Sequence, residues 1–280
     1  MKIKFISDST CDLPKELLEK YDIDIVPLIV VKDDESFSDG VTITTDEIFA
    51  HVAAGGSLCS TAAVSMLTYQ EKFAEYADKY DAVIHINISS DISSSYQNAT
   101  LAAGEFDNVV TIDSRNLSTG QGLVVLKACE LAESATSVDE IKEKLIDFTA
   151  KVESSFLIDR LDYMVKGGRC SMVAAMGANL LGLKPCIEVK DGKMGVVKKY
   201  RGNYAKSLAS YIKERLAGRE DLDTKYLFAT YTPISSECTE AVKSALAEYA
   251  DFENIYWAPA GCTVSCHCGP GTFGLLLARK

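Results

Sequence analysis

The first half of the chain alternates apolar and polar segments in a fixed order, without an internal sequence repeat, and that alternation limits the folds open to it. A short β-branched run gives way to a polar turn and then to a segment of helical period. Strands are expected at residues 2–7, 23–31, 82–88 and 109–112, and helices at 46–55, 65–80, 96–106, 120–133 and 138–152. The turns between them are Asp8-Ser9-Thr10, the hydroxyl-rich run from Ser89 to Ser95, and Asp113-Ser114-Arg115. Strand, polar loop and helix in that order point to parallel βα units. Asp12 is placed to cap a helix opening at Leu13-Pro14, because proline suits a first turn. Thr44 or Thr45 is placed to cap the helix of residues 46–55.

After residue 152 the pattern changes. A strand is expected at 155–158, a tight turn at 166–169, and an Ala/Leu-rich helix ending near 182. Asp191-Gly192 is a hairpin signal between strands at 186–189 and 195–200. A helix at 204–216, a strand at 225–231, a helix at 235–249 and short strands around 254–257 and 272–277 complete the chain. The fold class expected is α/β, with domains at 1–152 and 153–280. No Gly/Ser-rich linker separates them, so the two should pack closely.

A net charge of −11 argues against nucleic acid, which needs a basic surface. It also argues against docking on an anionic membrane by charge alone. An anionic ligand stays open, since a few local donors outweigh a distant field. The nine cysteines are odd in number, scattered and mostly set among apolar residues, which reads as reduced thiols in a cytoplasmic protein. No signal peptide is expected from the opening residues, and no apolar run reaches the ~18 residues of a spanning helix.

Five serines fall within the seven residues from Ser89 to Ser95, where a strand should hand over to a helix. Helix N-termini present unpaired N–H groups and the positive end of the dipole, so hydroxyls there suit an anion. An ordinary N-cap is the plainer reading. Ser60-Thr61 repeats the arrangement, again with capping and ligand contact both open. Gly167-Gly168-Arg169 is either a turn with a solvated arginine or a guanidinium aimed at a carboxylate or phosphate. Cys266-His267-Cys268-Gly269-Pro270-Gly271 admits three readings. Zinc is disfavoured by the Cys-x-Cys spacing and the lack of a second pair. A thiol nucleophile with His267 as base is disfavoured because neighbours on a strand point to opposite faces. The third makes His267 a hydrogen-bond donor beside a turn that allows close backbone approach. Asp8, Asp12 and Asp39 read as turn and cap residues. Glycine-rich nucleotide loops, His-Glu-x-x-His and Gly-x-Ser-x-Gly are absent. No catalytic residue, metal or cofactor is expected.

Taken in order, these segments resemble the DegV family. The likeness runs from Asp8-Ser9-Thr10-Cys11-Asp12-Leu13 through Val26-Pro27-Leu28, Ser38-Asp39 and Ile88 to Gln97. It continues through Asp113-Ser114-Arg115, Gly120-Gln121-Gly122, Gly167-Gly168-Arg169, Lys184-Pro185, Arg201-Gly202 and His267-Cys268-Gly269-Pro270-Gly271. The resemblance implies two packed α/β domains, an N-terminal parallel sheet with flanking helices and a C-terminal mixed sheet, with one fatty acid between them. It implies the lipid-carrying subunit of a bacterial fatty acid kinase, with no catalysis of its own. A separate ATP-binding subunit would phosphorylate the carboxylate, and the acyl phosphate would feed phospholipid synthesis. Transient membrane contact is compatible with that role.

By the same resemblance, Ser93 hydrogen-bonds the carboxylate with the Ser94 backbone beside it, and Thr61 or Ser60 contacts the same head group. Arg169 and His267 match the family's functional Arg and His nearby. The chain departs from the family where Ser60-Thr61-Ala62-Ala63 stands for a common Thr-Ser-Gln-Pro, and where Ser94 replaces a glycine. The stretch of residues 172–183 is a candidate tunnel wall. Two rival functions are a sensor or carrier for a non-lipid small molecule, and an acyl hydrolase using Ser93 or Cys268 with His267.

Overall fold

The computed structural model describes residues 1–172 and 182–280. β1 (Ile3–Asp8) is buried at five of its six positions, as a strand covered on both faces should be. A 3-10 turn (Ser9–Cys11) leads to α1 (Lys15–Lys20) and β2 (Ile23–Val26). Asp12 does not cap α1. Pro14 holds that position, while Asp12 takes a left-handed φ of 48° that a short polar side chain tolerates, so its carboxylate serves a different helix. Asp8 caps the 3-10 turn instead, accepting from Thr10 N at 3.1 Å.

The apolar run at 23–31 is two strands, not one. Pro27 has no N–H to give a ladder and ends β2. β3 (Ile29–Lys32) then pairs antiparallel with β4 (Glu35–Ser38) and with β5 (Ser60–Ala62) in a separate small sheet. α2 (Thr45–Ala53) lies between β4 and β5, opened by Thr44 in a reciprocal capping box with Glu47.

α3 (Met66–Ala77), β6 (Ala82–Asn87), α4 (Ser95–Ala103), β7 (Val109–Asp113), α5 (Ser118–Ala132) and α6 (Val138–Thr149) follow. The four-stranded sheet has the order β2-β1-β6-β7 and is parallel throughout.

The chain then builds β8 (Val152–Leu157), α7 (Asp162–Gly167), β9 (Leu183–Lys190), β10 (Lys193–Arg201), α8 (Tyr204–Leu216), β11 (Leu222–Tyr231), α9 (Ser236–Tyr249), β12 (Asn254–Pro259), α10 (Cys262–Cys268) and β13 (Phe273–Arg279). Six strands form a mixed sheet in the order β10-β9-β8-β13-β11-β12, with β11 and β12 parallel and the other neighbours antiparallel. The β9–β10 hairpin turns at Asp191 and Gly192, both at positive φ. Its tip reaches the loop after β6, where Ser89 Oγ donates to Gly192 O at 2.8 Å. Any side chain on Gly192 would strike Ser89 and the Arg115 guanidinium.

Cys266-His267-Cys268 lies on α10, not on a strand; no local period announces this seven-residue helix. Of the candidate tunnel wall and the Ala/Leu-rich helix ending near residue 182, residues 173–181 lie outside the described residues.

α5 joins the layers. It is buried nearly all round, and one continuous core sets it between Phe5, Ile84 and Ile86 of the parallel sheet and Val152, Phe228 and Leu276 of the mixed sheet. Thr119 and Thr230 hydroxyls meet across that contact at 2.6 Å. Among the described residues, no helix is long and apolar enough to cross a membrane.

Candidate functional site

In a parallel sheet the crevice for a ligand opens at the carboxyl ends of the strands where the order reverses, here between β1 and β6. Asp8 fills the base of that point. Its buried carboxylate accepts from Ile88 N at 2.8 Å, from Gln121 Nε2 at 3.0 Å and from Thr10 N. Burial raises its pKa and these donors oppose the rise. Above it the loop after β6 carries Ser93, half-buried, whose Oγ accepts from Ser95 N at 3.2 Å and lies 3.0 Å from Ser95 Oγ. Ser94 stands exposed at the N-cap of α4 with no side-chain cap bond.

The facing wall is α10, and the first forty residues hold its start. Asp12 Oδ1 accepts from Gly261 N at 2.9 Å. Asp39 accepts from Cys262 N at 3.0 Å and from Thr263 N at 3.1 Å. Ser118 Oγ and Ser9 Oγ donate to these two carboxylates at 2.5 and 2.9 Å. Two acidic groups thus satisfy the unpaired N–H groups at the positive end of the helix. Burial pushes the Asp12 carboxyl up to about 8, against the pull of its donors.

The helix sorts its cysteines by face. Cys262 and Cys266 pack with Cys59, Val30, Ile43 and Ile48, while Cys268 lines the cleft. Burial pushes the Cys268 thiol up to about 12, so it is not a ready nucleophile.

His267 Nε2 lies 2.7 Å from Thr61 Oγ1 of β5. Its Nδ1 has no hydrogen-bond partner among the described residues and packs on Gly167 at the end of α7, so closely that a Cβ there would overlap the ring. Burial, and next the charge of Arg169, hold the imidazole down to about 4, so it is neutral at pH 7. A neutral ring has one N–H. With Nδ1 facing a CH₂, the satisfied arrangement places that proton on Nε2, which donates to Thr61 Oγ1. The Thr61 hydroxyl is then left to donate into the cleft.

Between these walls runs a narrow cleft lined by Leu28, Ile88, Ile92, Leu117, Met164 and Met194. It has about 500 Å³ of atom-free space with its mouth, of which about 50 Å³ admits a water-sized sphere. Flexible methionines suit a slot that must widen around its occupant. Arg169 is exposed at the edge of the cleft and donates through Nη1 to Gly167 O at 2.7 Å.

Thr61, Ser93, Arg169 and His267 therefore line one cleft. Ser60 does not line it. Alternation along β5 turns its exposed side chain to the other face. Ser94, exposed at the start of α4, does not line it either. Thr263, Met164 and Met194 line the cleft unforeseen, as do the apolar residues around them, and Asp12 and Asp39 act behind it. A larger polar groove carries Arg115, Arg215, Arg219 and Arg279, but each guanidinium is already paired with a carboxylate. Among the described residues no group of His, Cys, Asp and Glu is arranged to hold a metal ion.

Two α/β layers closing on an apolar slot, with hydroxyls, an imidazole and a guanidinium gathered along it, define a mixed α/β protein with an interlayer binding cleft. The chain belongs to the DegV family, whose sequence model, described for uncharacterised proteins, matches residues 2–280. A DegV domain-containing protein of Clostridium perfringens is 35% identical over 283 residues, covering 100% of this chain and 99% of its own. The structure of a fatty-acid-binding DegV family protein from Thermus thermophilus matches with a TM-score of 0.88 at 28% identity, over 100% of both chains. A stearic acid-binding protein from Eubacterium ventriosum matches with a TM-score of 0.83 at 30% identity, over 100% of this chain and 98% of its own.

Proposed function

We propose that this chain binds one long-chain fatty acid in the cleft and presents its carboxylate to a separate ATP-dependent kinase subunit in the cytoplasm, without catalysing the transfer itself. The observation that carries this is the Thr61–His267 bond, which aims a hydroxyl into an otherwise apolar slot beside Ser93. An acyl chain contributes about 0.8 kcal/mol per buried methylene. The carboxylate, once desolvated, needs several donors, and we assign that role to Thr61 and Ser93, with the Ser94 backbone at the adjoining start of α4. Arg169 at the edge is suited to steer a phosphate donor. The Thermus and Eubacterium relatives, which bind fatty acids by name, support the ligand class.

A hydrolase fits less well. The Ser93 Oγ is bonded to Ser95, His267 Nε2 is committed to Thr61, and Cys268 is a buried thiol. Native mass spectrometry of the purified protein, followed by denaturation and lipid extraction, tests the proposal. One stoichiometric fatty acid is expected. A protein carrying a polar ligand, or none after incubation with fatty acid, would overturn it.

A further inference from the structure

α10 carries two residues of the cleft wall one turn apart, His267 and, four positions earlier, Thr263. Thr263 is 5% exposed and its backbone N–H is held by Asp39, yet its Oγ1 has no hydrogen-bond partner among the described residues. Buried hydroxyls are almost always paired, because an orphan forfeits its hydration without return. A threonine deeper in a helix would bond back to the carbonyl four residues earlier. Thr263 is the second residue of α10, and the carbonyl four residues back belongs to Pro259 of β12. A valine would fill the same volume and leave nothing unmatched, so packing does not account for the hydroxyl.

Thr61 meets Nε2 of His267, and Thr263 lies one helical turn before that ring on the same cleft wall. The helical step from His267 to Thr263 is about 6 Å, which an extended chain covers in a handful of carbons. Building on the fatty-acid reading above, we infer that Thr263 is a specificity-determining residue: its hydroxyl meets an oxygen carried on the acyl chain, so the cleft prefers a hydroxy fatty acid to the plain acid of equal length.

The test is calorimetric titration of the delipidated full chain with stearic acid and with a positional series of hydroxystearic acids. The unmodified protein is expected to bind one positional isomer roughly five- to tenfold more tightly than stearic acid. Thr263→Val should lower the affinity for that isomer relative to stearic acid until the preference is gone, and Thr263→Ser should retain it. Equal affinity for every acid in the unmodified protein would overturn the inference. So would an equal loss for stearic and hydroxystearic acids in Thr263→Val, which would assign the hydroxyl to the carboxylate. Failure to bind stearic acid or any of its hydroxy derivatives would sink the fatty-acid reading itself; binding without preference would sink only the role of Thr263.

Discussion

Between about pH 8 and about pH 5.5, His267 should contribute no pH dependence to fatty-acid affinity, although histidine ordinarily titrates there. The ring is held down from 6.5 to about 4, by burial first and by Arg169 second. That difference corresponds to about 3 kcal/mol against the imidazolium in the folded protein. Because the pKa is lowered, the associated stability is fully present above about pH 6.5. It declines as the pH falls and unfolded chains take up the proton first, and it is gone below about pH 4. His85, packed edge-on and tilted against Phe73 and Tyr69 and pushed down by burial to about 3, adds a separate acid-labile share. The contribution of His267 is therefore read as a difference from a variant.

His267→Phe keeps a ring against Gly167 but removes the Nε2 donor, leaving the Thr61 hydroxyl unoriented. Losing one such bond costs about 1–2 kcal/mol, or roughly five- to thirtyfold in affinity. Displacement of a fluorescent fatty acid across the pH range, with NMR of the His267 ring, measures both effects. An inflection near pH 6.5 in the unmodified protein that disappears in His267→Phe would refute the reasoning. It would make the imidazolium the direct partner of the carboxylate.

Ser93→Ala should weaken fatty-acid binding by about 1–2 kcal/mol at unchanged melting temperature, since the fold has no other use for its half-buried hydroxyl than the first turn of α4; unchanged affinity in the same displacement assay would remove Ser93 from the head-group site. Gly167→Ala places a methyl on the His267 ring and should lower affinity about as far as His267→Phe, whereas a variant that binds normally would show that the ring can shift without loss. Asp39→Ala uncovers two N–H groups of α10 and should lower stability by about 1–2 kcal/mol in denaturant titration; an unchanged midpoint would mean that Asp12 or water takes over the cap.

The parallel sheet was legible because β1, β6 and β7 each end in a conspicuous polar run, and α8 was legible because its apolar period is clean. The small β3–β4–β5 sheet was not. Its strands are four residues or fewer, one follows Pro27 without a visible break, and β5 is hydroxyls and alanines. Which of Ser60 and Thr61 faces the cleft depends on a one-residue register that an unrecognised strand leaves open. α10 escaped for a different reason. Its seven residues hold three cysteines and no helical period, and its caps are Asp12 and Asp39, so nothing within the segment marks its start. Had the helix been recognised, the spacing of Thr263 and His267 would have placed both on one face. Asp39 looked like a turn residue because the partner that explains it is 223 positions away.

That separation bears on how the chain is made. Synthesis delivers the N-terminal layer first, so Asp12 and Asp39 emerge long before Gly261, Cys262 and Thr263, the groups they serve. Until β13 leaves the ribosome it cannot enter between β8 and β11, and the second face of α5 has only part of its cover. A nascent chain of this protein therefore waits on β13, exposing apolar surface during translation. A product stopped short of α10 has neither a closed mixed sheet nor one wall of the cleft.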